Sequence, residues 1–62
     1  MPFVTVRMLT GRTDDQKRRL VKAITDAVVE TTGAKAEGTT VVIEEIPRNH
    51  WAKAGVLLSD QQ

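Results

Sequence analysis

Three residues of this 62-residue chain invite a chemical reading before a structural one: Pro2, Arg12 and Trp51. Pro2 either opens a strand, where its missing N–H does no harm to the ladder, or does chemistry. Its small, rigid ring favours removal of the Met1 before it. The freed secondary amine would be a general base held fixed by its own ring and by the strand behind it. Arg12 either is a solvated loop arginine or has a ligand. It stands just ahead of a helix N-terminus, where a cation is mildly unfavourable, so its presence points to a partner anion such as a ligand carboxylate. Trp51 is the single tryptophan and, with Phe3, one of two aromatics. It reads as an apolar plug between subunits or as a pocket wall that excludes water and strengthens the electrostatics inside. Those two roles are compatible.

Other residues carry less. His50 lies in a polar loop and reads as solvated. Glu44 and Glu45 are adjacent on a strand, so they point to opposite faces and make no acid–base couple. Arg18 and Arg19 read as a solvated helix face rather than a phosphate site. There is no cysteine and one histidine, which closes the disulfide route and gives no metal site. The formal charge of +1, with acids interleaved among the bases, argues against nucleic acid, which calls for a clustered basic face. No apolar run approaches the roughly 20 residues of a membrane span. The first residues lack the pattern of a secretory signal, and a cytoplasmic location is the default. A chain this short makes a single domain, residues 1–62, and buries only about 60% of the surface its unfolded form exposes. With disulfides and metals excluded, self-association is the remaining way to complete a core.

The elements that must position these residues follow from periodicity. Residues 3–9 alternate, with Val4, Val6 and Met8 towards a core and Phe3, Thr5, Arg7 and Leu9 towards a face partly covered by another subunit. Thr13 to Gln16 has the pattern of a capping box, with Asp14 and Asp15 in the first helical turn. Leu20, Val21, Ile24, Ala27, Val28 and Thr31 form an apolar stripe, Lys17, Arg18, Lys22, Asp26 and Glu30 lie largely off it, and Gly33 ends the helix. The expected helix runs from Asp14 to Thr32. A polar connection, 34–38, leads to a second strand, 39–46, which Pro47 stops. Residues 48–55 are a loop before a short apolar piece, Val56 to Leu58. The fold class is α/β: a β-α-β unit of two parallel strands and one crossover helix, with a short C-terminal hairpin, assembled into an oligomer.

Geometry then divides the candidate site. Pro2 opens the first strand and Arg12 lies beyond its far end, about 25 Å away at 3.3 Å per residue. Trp51 follows the second, parallel strand and so lies at the same far end as Arg12. If Pro2, Arg12 and Trp51 serve one site, they come from different subunits.

Taken together, Met1-Pro2 with the strand to Leu9, Gly11-Arg12-Thr13-Asp14-Asp15-Gln16-Lys17, the helix to Gly33, the strand to Glu45, and His50-Trp51 with Gly55 resemble the short-chain members of the 4-oxalocrotonate tautomerase family. The likeness covers essentially the whole chain. It implies a homohexamer, a trimer of dimers, that needs no cofactor and converts enols and dienols such as 2-hydroxymuconate to conjugated keto acids in the bacterial catabolism of aromatic compounds. It further implies Pro2 as general base, Arg12 of a neighbouring subunit on a substrate carboxylate, and Trp51 as an aromatic wall. The family pattern has a second arginine where this chain has Thr40, which can donate a hydrogen bond to substrate but brings no charge. Charge alone nominates Arg48 as its substitute. Two alternatives remain at this stage: a family member acting on a monoacid enol or a halogenated acrylate, and a non-catalytic oligomeric binding module.

Overall fold

The computed structural model describes residues 1–61. Strand β1, Phe3–Leu9, leads through a turn into helix α1, Asp14–Thr32. Strand β2, Thr40–Ile46, returns parallel to β1, with Phe3 opposite Thr40 and Leu9 opposite Ile46. Backbone bonds continue the ladder at both ends: Thr40 N–H donates to Pro2 C=O (3.0 Å) and Thr10 N–H to Ile46 C=O (3.1 Å). Val4, Val6 and Met8 of β1 lie half-buried beside Val41 and Ile43 of β2. The other face carries Phe3, Thr5 and Arg7 beside Thr40, Val42 and Glu44, all exposed.

The helix starts as its sequence dictates. Thr13 Oγ1 accepts from Gln16 N–H (3.1 Å) while Gln16 Oε1 accepts from Thr13 N–H (2.9 Å). It ends at Gly33 in the left-handed conformation, whose N–H reaches Val29 C=O. The half-buried stripe is rotated from the expected one. Ala27 and Thr31 are exposed, whereas Lys17 and Thr25 are half-buried with Leu20, Val21, Ile24 and Val28. At 100° per residue, Lys17 falls on the line of Val21, Ile24 and Val28. It can stay there because its ammonium pairs with Glu45, which projects from β2 on the same face as Val41 and Ile43. That hydrogen bond raises the Lys17 pKa above the ordinary lysine value. Glu44 projects the opposite way and pairs with Arg7 Nε (2.8 Å), which raises the arginine's pKa in turn.

Beyond β1, α1 and β2 the expected C-terminal hairpin is present, and segments expected to be plain loops hold 3₁₀ turns. The connection before β2 holds a 3₁₀ turn at Ala36–Gly38, so β2 begins at Thr40 rather than Thr39. Residues 48–57 form a 3₁₀ turn at Arg48–His50 followed by a hairpin of β3, Ala52–Lys53, and β4, Val56–Leu57. Its two-residue turn, Ala54-Gly55, has positive φ at both positions (51° and 78°), as the hairpin turn matching strand twist requires. Glycine adopts that conformation freely; Ala54 does so at a cost. A last 3₁₀ turn spans Leu58–Asp60.

The subunit has no interior of its own. Among the described residues none is buried, and Phe3 is 66% and Val56 45% exposed. The radius of gyration is 14.8 Å, against about 10.6 Å for a compact chain of this length. The accessible surface is 4864 Å², where a compact protein of 6.8 kDa would show roughly 3,950 Å².

Candidate active site

The parallel sheet separates the candidate residues into two groups. Pro2 is half-buried at the N-terminal end, tied to Thr40 by the bond from the Thr40 N–H to its carbonyl. Thr40 is exposed beside Phe3. Met1 is fully exposed, and while attached it leaves Pro2 an amide nitrogen with no basic lone pair. Beyond the far end of the strand, about 25 Å away at 3.3 Å per residue, lies the other group. Arg12, Arg48 and Trp51 line one cleft of about 490 Å³ with Arg7 to Gly11. This is the carboxyl end of the parallel strands, where ligands of open α/β sheets bind.

Local structure accounts for each member of the cleft. Gly11, at φ 123°, turns the chain from β1 into the helix cap. A Cβ there would meet no atom within 4 Å, so glycine serves the backbone conformation rather than space, and it delivers Arg12 to the cleft mouth. Trp51 is half-buried. The 3₁₀ turn before it brings Arg48 and Trp51 to nearly the same side, since residues three apart in such a turn eclipse. Both are clasped to one residue: Leu58 N–H donates to Trp51 C=O (2.8 Å), and Arg48 Nη2 donates to Leu58 C=O (3.2 Å).

The electrostatics of the cleft are one-signed. Arg7 is spoken for by Glu44, but among the described residues neither Arg12 nor Arg48 forms an ion pair. No acidic side chain lines the cleft. Two guanidiniums beside an aromatic side chain are groups of the kind that can hold a carboxylate. His50 is exposed outside the cleft, and Arg18 and Arg19 lie on the outer helix face, where Arg19 pairs with Asp15 (3.4 Å). No group of three or more metal-binding side chains occurs among the described residues, and no helix there is long and apolar enough to cross a membrane. Sequence reasoning attached no position to Arg48. The available signal was its spacing of three from Trp51, visible only once a turn is placed at Arg48–His50.

Comparison with known proteins agrees with the architecture. The profile of the tautomerase enzyme family matches residues 2–61. A 2-hydroxymuconate tautomerase of Bacillus subtilis is 58% identical over 62 residues, covering all of both chains. A crystal structure of a homologue of 4-oxalocrotonate tautomerase superposes with a TM-score of 0.95 at 57% identity, over 98% of this chain and 100% of that one. A heterohexameric 4-oxalocrotonate tautomerase from Chloroflexus aurantiacus superposes with a TM-score of 0.92 at 26% identity over the full length of both. The chain belongs to the tautomerase enzyme family.

Proposed function

We propose that the chain is a cofactor-independent keto–enol tautomerase for 2-hydroxymuconate-like acids, acting as a single-domain subunit of a cytoplasmic homo-oligomer, a hexamer built as a trimer of dimers. The division of candidate groups between the two ends of one parallel sheet carries this reading. The amine end of one subunit needs the arginine end of another, and a subunit without an interior needs the same contact for stability.

In this reading Met1 is removed and the Pro2 amine is the base. A free α-amino group titrates near 8, and partial burial with guanidiniums nearby disfavours its charged form and lowers that value. The amine takes the proton from the enol oxygen, the electron pair moves through the conjugated carbons, and the amine returns the proton to carbon. One O–H bond is lost and one C–H bond is formed, with no change in composition. Arg12 of the neighbouring subunit binds a carboxylate and draws electron density towards it. Trp51 holds water off the carbon to be protonated, and Thr40, beside Pro2, donates a hydrogen bond to the substrate oxygen. The relative named 2-hydroxymuconate tautomerase, at 58% identity, supports the choice of substrate.

The test is decay of 2-hydroxymuconate absorbance with protein shown by mass to lack Met1, beside Pro2→Ala. Loss of the base should cut turnover by about 10²–10⁴-fold while sedimentation shows unaltered assembly. Equal rates in the two proteins remove Pro2 from the mechanism. Thr40 favours a second reading, in which the preferred substrate is a monoacid enol or a halogenated acrylate. A substrate panel with clear preference for the dicarboxylate would reject it.

A further inference from the structure

Resting on the carboxylate-binding reading of the cleft, we propose that Arg48 is a specificity-determining residue that grips the same substrate carboxylate as Arg12. The positive charge absent at Thr40 therefore does not return as a second anchor for a second acid group. It doubles the grip on the first.

Three observations converge on this placement. Arg12 and Arg48 line one cleft, at the opposite end of the sheet from Thr40. Both lack an acidic partner among the described residues, whereas Arg7 in the same cleft is paired with Glu44. Arg48 is also oriented in advance: Nη2 is fixed on Leu58 C=O, in a turn that Leu58 N–H clasps from the other side at Trp51. One edge of the guanidinium is thus anchored to the backbone, and its remaining N–H groups are left for an anion. Two arginines converging on one carboxylate concentrate positive potential where electron density accumulates during tautomerisation. The end of the substrate that faces Thr40 then meets a neutral hydroxyl. The substrate class that fits is an enol acid with one carboxylate at the Arg12–Arg48 end and no requirement for a charge at the other.

Trp51 is the single tryptophan of the chain and lines this cleft, so its fluorescence reports binding without turnover. The assembled protein is titrated with crotonate, which has one carboxylate, and with fumarate, which has two; neither has an enol proton to transfer. Arg48→Ala should raise Kd about tenfold for both acids, and Arg48→Lys, which keeps the charge, should stay within about threefold of the parent. An Arg48→Ala loss confined to fumarate overturns the proposal, because it makes Arg48 the anchor of a second carboxylate. Unchanged binding of both acids overturns it too. So does Arg48→Lys binding as weakly as Arg48→Ala, since the loss then follows the Leu58 contact rather than the charge. The titration involves no proton transfer, so it stands whether or not turnover depends on Pro2. Conversely, Pro2-dependent turnover with unchanged acid binding in Arg48→Ala would reject this inference alone.

Discussion

The two ends of the β1–β2 sheet are built from the same ladder and differ in almost everything else. The N-terminal end offers Pro2 and Thr40: a ring nitrogen and a hydroxyl, with no guanidinium on either residue. The C-terminal end offers Arg12, Arg48 and Trp51: two guanidiniums free of ion pairs among the described residues, and a wall. A proton-accepting amine must keep a pKa near neutrality to work, while a carboxylate receptor must carry permanent positive charge. One subunit keeps the two about 25 Å apart, and assembly is what would join them. In the proposed site, each end of the strand supplies half of what a 62-residue chain cannot hold within one subunit.

The first way to break that contrast is to remove its positive end. Arg12→Ala should lower kcat/KM for 2-hydroxymuconate by about 10²-fold, through both kcat and KM, as expected for a group that binds the ground state and stabilises developing charge. A loss in KM alone would make Arg12 a binding residue only. The second way is to erase the difference by charging the neutral end. Thr40→Arg should shift selectivity towards dicarboxylates over monoacids by about tenfold in kcat/KM, read from paired substrates. No shift would mean that residue 40 does not face the substrate.

Two smaller effects concern the scaffold that keeps the ends apart. The Lys17–Glu45 pair raises the lysine pKa in the folded state. Its stabilisation is therefore fully present below the unfolded lysine value, about 10.4, and is lost as pH rises through the higher folded value. Thermal melts should show a decline above that pH that Glu45→Gln lacks. In the hairpin that follows Trp51, Ala54 holds φ at 51°. Ala54→Asn, whose side chain tolerates the left-handed region, should stabilise by about 0.5–1 kcal/mol, seen as a higher Tm at fixed protein concentration.

Much of the scaffold was readable from residue order because its signals are local. The alternation of residues 3–9, the Thr13–Gln16 cap and Gly33 placed β1 and α1 at the bounds observed. What was not readable depended on pairs distant in sequence. Lys17 looked like a surface residue until Glu45, 28 positions later, was seen on the same face. Leu9, on the mixed outer face by alternation, is half-buried and lines the cleft. The C-terminal hairpin is expected from the sequence and present, but its strands are two residues each, too short to show a period, so their bounds are not legible. Of the site, Arg12 and Trp51 were matched to one end by strand direction alone. Arg48 was named for its charge but could not be located without the turn and Leu58.

In the proposed site the base and the arginine belong to different subunits, and mixing variant subunits tests this. Pro2→Ala and Arg12→Ala subunits, each nearly inactive alone, are unfolded together, reassembled and assayed on 2-hydroxymuconate. Sites shared between subunits would combine an intact Pro2 from one variant with an intact Arg12 from the other, restoring activity at about one site in four for random, symmetric assembly. Mixtures that assemble fully but stay as inactive as their parents would contradict the account, because each site would then draw its base and its arginine from a single chain.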